Sequence, residues 1–84
     1  MIPDSSTRYL TEADIVTLSD WEKKIARNEI YARHGRKFNS AELQQYFDSM
    51  DWYTPSIEAK DFKDEMLNDV ERYNTRLISQ YENK

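Results

Sequence analysis

The sequence predicts an all-α fold, a small bundle of three main helices with a short leading helical turn. Three observations carry this. Apolar residues recur at helical spacing in successive stretches, helix-capping residues precede the earlier ones, and no stretch reads as a strand. Residues 1–8 are polar and aperiodic, with Pro3 among them, and read as a linker or arm ahead of a domain over 9–82. Thr11 opens the leading turn near 11–18: it is a good N-cap, Asp14 lies three residues on, and Ile15 and Leu18 follow at helical spacing. Ser19-x-x-Glu22 then spells a capping box for a main helix over about 19–35. Trp21, Ile25, Asn28 and Ala32 fall on one face of it, and Gly35, the only glycine, supplies a left-handed stop. Asn39 or Ser40, with Glu42 as reciprocal partner, starts a helix over about 40–50 whose Leu43, Tyr46, Phe47 and Met50 share a face. Pro55 breaks the chain after Trp52-Tyr53, and 56–63 reads as loop with Phe62 as a candidate anchor. The last helix, about 64–82, gathers Met66, Val70, Tyr73, Leu77 and Tyr81 within one arc.

Composition narrows the function classes. Eighty-four residues make one domain near the small end of what folds alone. Without cysteine and with one histidine, disulfides, thiolate sites and multi-histidine zinc sites are ruled out, and no cofactor is expected. A net charge of −4 argues against nucleic acid as partner. No apolar run is long enough for direct membrane insertion, and the isolated domain is expected to be a monomer.

Polar residues on apolar faces carry the remaining information. Asn28 lands within the stripe of Trp21, Ile25 and Ala32, and Asn74 lies between Val70, Tyr81 and Leu67. Each amide is expected to bond a loop backbone and fix how helices join; the alternative is a pair of amides lining a ligand pocket. Arg27, Tyr31 and His34 form a second polar stripe, with Arg27 placed to stack on Tyr31 and Glu29 placed to pair with Arg33. Ile30 lies almost opposite Ile25, so this helix is expected to be packed on two sides. Arg33, His34, Arg36 and Lys37 form the one basic cluster, suited either to offsetting the helix dipole or to holding an anionic group. Catalysis through His34 would require a cleft that brings it to a carboxylate such as Glu29 or Asp51, and no local motif marks a nucleophile.

The decamer Ala26-Arg27-Asn28-Glu29-Ile30-Tyr31-Ala32-Arg33-His34-Gly35, with Tyr9-Leu10-Thr11, Phe38, Tyr46-Phe47, Trp52-Tyr53-Thr54-Pro55 and Asn74…Ile78…Tyr81-Glu82, resembles the YARHG domain, named for its five-residue motif. The likeness covers nearly all of 9–82, and the opening Ile-Pro-Asp-Ser-Ser is similar to that of such modules in Gram-positive surface proteins. The resemblance implies a non-catalytic extracellular or cell-surface module, found beside bacterial lipoproteins, membrane-anchored proteins and peptidases, with no catalytic residue to carry over. With neither a lipobox cysteine nor a signal segment, the chain reads as the module without its anchor. The function expected from this is binding of a cell-wall polymer or another envelope protein through Arg33, Arg36, Lys37 and Tyr53. A purely structural cap or spacer for a neighbouring domain is the alternative, and a hydrolase using His34 is the third option. Arg27, Asn28, Glu29, Tyr31, Arg33, His34, Gly35 and Asn74 are expected to form the motif's polar network.

Overall fold

The computed structural model describes residue 2 and residues 4–82. Among the described residues four helices follow one another: α1 (Glu12–Ile15), α2 (Asp20–Arg33), α3 (Ala41–Asp48) and α4 (Asp69–Glu82). Short 3-10 turns at Ala59–Asp61 and Asp64–Met66 cross the long connection before α4. Among the described residues no strand forms, and a single isolated parallel bridge joins Arg36 to Ile57. The all-α bundle is the observed fold.

Local chemistry sets the boundaries. Ser19 caps α2: its side chain accepts from the Glu22 N–H, and the Ser19 N–H donates to the Glu22 carboxylate. At the other end the Gly35 N–H donates to Ala32 O and the Arg36 N–H to Tyr31 O, the paired bonds of a Schellman stop. Gly35 makes this stop at φ +87°. Ser40 caps α3 by accepting from the Leu43 N–H, while Glu42 is exposed in the first turn and makes no box.

The last helix starts later than the spacing suggests, at Asp69 rather than near 64. Asn68 and Glu71 explain why. The Asn68 side chain accepts from the Glu71 N–H at 2.8 Å, and the Glu71 carboxylate accepts from the Asn68 N–H at 3.0 Å, a capping box that fixes the first turn. Its buried face is rotated too. Glu71, Asn74, Thr75 and Ile78 point inward, whereas Met66 and Tyr73 are exposed.

Two apolar clusters pack against two different faces of α2. Ile25 and Ala32 pack with Leu43, Phe47 and Tyr53, flanked by Phe38, Tyr46 and Met50. Ala26 packs with Leu10, Ile15 and Ile78, flanked by Ile2, Leu18, Leu77 and Tyr81. The helix is therefore central and lined on two faces. Trp21 does not complete its stripe; it is 39% exposed and meets Tyr46 edge to face.

The segment read as an arm over 1–8 is part of the globule where it is described. Residues 4–7 form turns, and Ser5 is fully buried. Hydrogen bonds to α2 and α4, rather than apolar periodicity, hold it, so the spacing of its side chains carried no sign of order. Met1 and Pro3 lie outside the described residues.

Candidate functional site

The polar residues of α2 and α4 meet the N-terminal turn in one network. The Arg33 guanidinium donates to Ser5 Oγ at 2.7 Å, Ser6 Oγ at 2.8 Å, Ile2 O at 2.9 Å and the Glu29 carboxylate at 2.6 Å. Beside it, Glu71 of α4 receives His34 Nε2 at 2.9 Å and the Ser6 hydroxyl at 2.7 Å. An ionised carboxylate only accepts, so the proton between His34 and Glu71 sits on Nε2. Burial pushes the Glu71 carboxyl up, but the Asn68 N–H, the Ser6 hydroxyl and His34 outweigh it and hold Glu71 below the ordinary carboxylate range.

Asn74 is the second hub. Its amide NH₂ donates to Ser5 O at 2.7 Å and Arg8 O at 2.8 Å, and its Oδ1 accepts from the Leu10 N–H at 2.8 Å. It thus ties α4 to loop backbone. Asn28 differs: its amide donates to Lys24 O at 2.8 Å, within its own helix, so it does not join helices through that bond.

Other expected pairings change partner. The cation over Tyr31 is Arg36, 5.2 Å from the ring centroid, and Arg36 also lies 5.3 Å from Phe38. Arg27 is instead bound to Glu82 near the end of α4 at 2.5 Å. Burial would lower its pKa, but the Glu82 carboxylate outweighs this and raises it. Phe62 does anchor its loop, edge-on to Tyr31 at 5.5 Å and 6.2 Å from the His34 ring.

The expected contact surface is taken apart by this packing. Arg33 is spent on the N-terminal turn. Tyr53 is only 8% exposed, its hydroxyl donating to Arg36 O at 2.7 Å inside the first core. Lys37 reaches Glu58 at 3.5 Å, and Arg36 lies half-buried on aromatic rings. Tyr53 is drawn in because its ring packs on Phe47 while its hydroxyl finds a buried carbonyl, a pairing between segments that no local pattern announces.

What the arrangement can do chemically follows from bond direction. The carboxylate at His34 is Glu71, not Glu29 or Asp51. Ser6 gives its proton to Glu71 rather than to the imidazole, so among the described residues no hydroxyl is hydrogen-bonded to His34 as a serine nucleophile would be. Among the described residues no group of three or more His, Asp or Glu side chains is placed to hold a metal ion.

Aromatic surface lies elsewhere. Tyr9 and Tyr73, 55% and 48% exposed, meet edge to face at 5.0 Å. With Asp69, Arg72, Arg76, Leu77 and Gln80 they line an open cleft of about 510 Å³. Tyr73, expected within the apolar arc of the last helix, is exposed instead, and Glu71 and Ser6 lie outside the site residues the sequence predicts. The one local signal for Glu71 was Asn68-x-x-Glu71, the same spacing that marked Ser19.

A family model described as the YARHG domain matches residues 1–83. No curated protein and no solved structure was found to match the chain.

Proposed function

The chain belongs to the YARHG domain family over essentially its whole length, and from that premise we propose that it is a non-catalytic module of a bacterial envelope protein, displayed outside the cell, that binds a cell-wall polymer. YARHG domains are typically extracellular, and among the described residues no helix is long and apolar enough to cross a membrane. The observation carrying the binding role is the cleft on the outer face of α4. Two tyrosine rings stand open there beside Arg72, Arg76 and Gln80, offering aromatic faces to sugar rings and donors to their hydroxyl and carboxyl groups.

A sedimentation assay with purified cell wall tests this. The intact chain should be retained, and Tyr9→Ala combined with Tyr73→Ala should lose retention while keeping its helical circular dichroism. Equal retention of both forms, or of neither, would sink the site. The cap or spacer reading has its own support. Arg33 and His34, the polar core of the motif, are committed to Ser5, Ser6 and Glu71. Under it, His34→Ala lowers the melting temperature and no cell-wall binding appears in any form.

A further inference from the structure

Four arginines from three parts of the chain surround Tyr31. Arg27 comes from α2, Arg36 follows its glycine stop, and Arg72 and Arg76 stand one turn apart on α4. Two clefts flank the phenol. One, of about 240 Å³, is lined by Arg27, Tyr31, Arg72 and Arg76 among others, and the other, of about 170 Å³, by Arg27, Tyr31, Arg36 and Phe62 among others. Asp64 borders both.

The charges in this groove are not balanced internally. Glu82 holds Arg27, and Asp69 pairs with Arg72, which also donates to Leu67 O at 3.0 Å. Among the described residues neither Arg36 nor Arg76 has a carboxylate partner; Arg36 rests on the Tyr31 and Phe38 rings. Four guanidiniums therefore face three carboxylates, Glu82, Asp69 and Asp64, in a chain whose net charge is −4. Local positive charge persists here against the sign of the whole molecule.

We propose that this groove binds a phosphate group, as a monoester or diester on a small polar carrier. A carboxylate is planar and is satisfied by one guanidinium fork. Here the guanidiniums without a carboxylate partner come from separate segments, Arg76 lining one cleft and Arg36 the other, while Arg27 and Tyr31 line both, an arrangement suited to a tetrahedral anion seated where the two clefts meet, its oxygens pointing several ways. Both clefts are smaller than the roughly 300–1,000 Å³ of drug-sized sites, as a small anionic group requires. The site goes beyond the cell-wall reading. It lies across Arg72 and Arg76 from the Tyr9–Tyr73 cleft and stands whether or not those tyrosines take a sugar.

The test is a two-dimensional NMR titration of the full chain with sodium phosphate, then with dimethyl phosphate, at constant ionic strength. Saturable shifts at the Arg36 and Arg76 side-chain N–H groups and around Tyr31 are expected. Arg36→Gln combined with Arg76→Gln should weaken binding about a hundredfold, the effect of losing two charge-assisted hydrogen bonds at roughly tenfold each. Asp64→Asn, at an exposed position, should tighten it, and Lys37→Gln should leave it unchanged. A stronger response to dimethyl phosphate assigns the site to a diester; a stronger response to inorganic phosphate assigns it to a monoester or the free ion. Shifts that rise without saturating over all surface cations would overturn the proposal. So would an Asp64→Asn chain that binds no tighter, a measurement that still decides if the double arginine variant fails to fold. Equal cell-wall retention of the intact chain and the tyrosine variant, or retention of neither, with phosphate binding intact would remove the cell-wall reading alone.

Discussion

At the scale of single residues, Gly35 and Glu71 show two kinds of necessity. A Cβ on Gly35 would lie 2.9 Å from Thr54 O and 2.5 Å from Ser56 Oγ. The serine hydroxyl can rotate away, but the backbone carbonyl cannot. Gly35 O also accepts the N–H groups of Ser56 and Ile57, so the glycine that ends α2 is where the following loop docks. Gly35→Ala should therefore cost roughly 1–3 kcal/mol in denaturant unfolding, from the left-handed backbone and the clash together. Glu71 is a necessity of charge. Its carboxyl is held below the ordinary range in the fold, so it binds a proton less readily folded than unfolded. Its contribution is fully present above the unfolded carboxyl value of about 4.3 and is lost as pH falls through the lower folded value. Melting temperature should drop on acidification through that window, and Glu71→Gln should show a shallower drop from a lower starting point. An unchanged slope would show that Glu71 does not set the acid limb. Gly35 could be read from the sequence because a helix stop is local; for Glu71 only the capping spacing to Asn68 is local, and its pairing with Ser6 and His34, 65 and 37 residues away, leaves no sequence mark.

At the scale of elements, the N-terminal turn is held on by α4. Asn74 donates to Ser5 O and Arg8 O and accepts from the Leu10 N–H, all while fully buried. Asn74→Ala should lower stability by roughly 2–4 kcal/mol, since several buried backbone groups lose their partner together. Hydrogen exchange at Leu10 should rise more than exchange in α3. Uniform acceleration across the chain would mean that the turn is not a separable unit. The same element explains where sequence reading succeeded and stopped. Ser19, Glu22 and Ser40 mark helix starts through bonds spanning three residues, and the periodicity of Leu43 and Phe47 reports a face buried for apolar reasons. The face of α4 is chosen by polar partners. Glu71, Asn74 and Thr75 turn inward, and Tyr73 is left outside. An apolar arc cannot foresee that choice, and the same blindness made residues 4–8 look like an arm.

At the scale of the whole molecule, α2 is the wall shared by two small cores. Ile25 and Ala32 serve the Phe47 side, and Ala26 serves the Ile15 and Ile78 side. Neither side has its own complete scaffold, so the chain should unfold as one cooperative unit despite having two clusters. Phe47→Ala should cost about 3–5 kcal/mol and Ile78→Ala about 2–5 kcal/mol, each moving the entire transition seen by far-ultraviolet circular dichroism. Two separated transitions in either variant would show that the halves fold apart. The placement of the aromatic side chains adds an optical consequence. Trp21 lies against Tyr46 and Trp52 against Phe47, so both indoles sit on the α3 side of the wall. Intrinsic emission is thus a one-sided witness: loosening of the Asn74 turn would leave the spectrum dark to the event until α2 itself gave way. A tryptophan substituted at Leu77, on the opposite flank, would give that silent half its own signal.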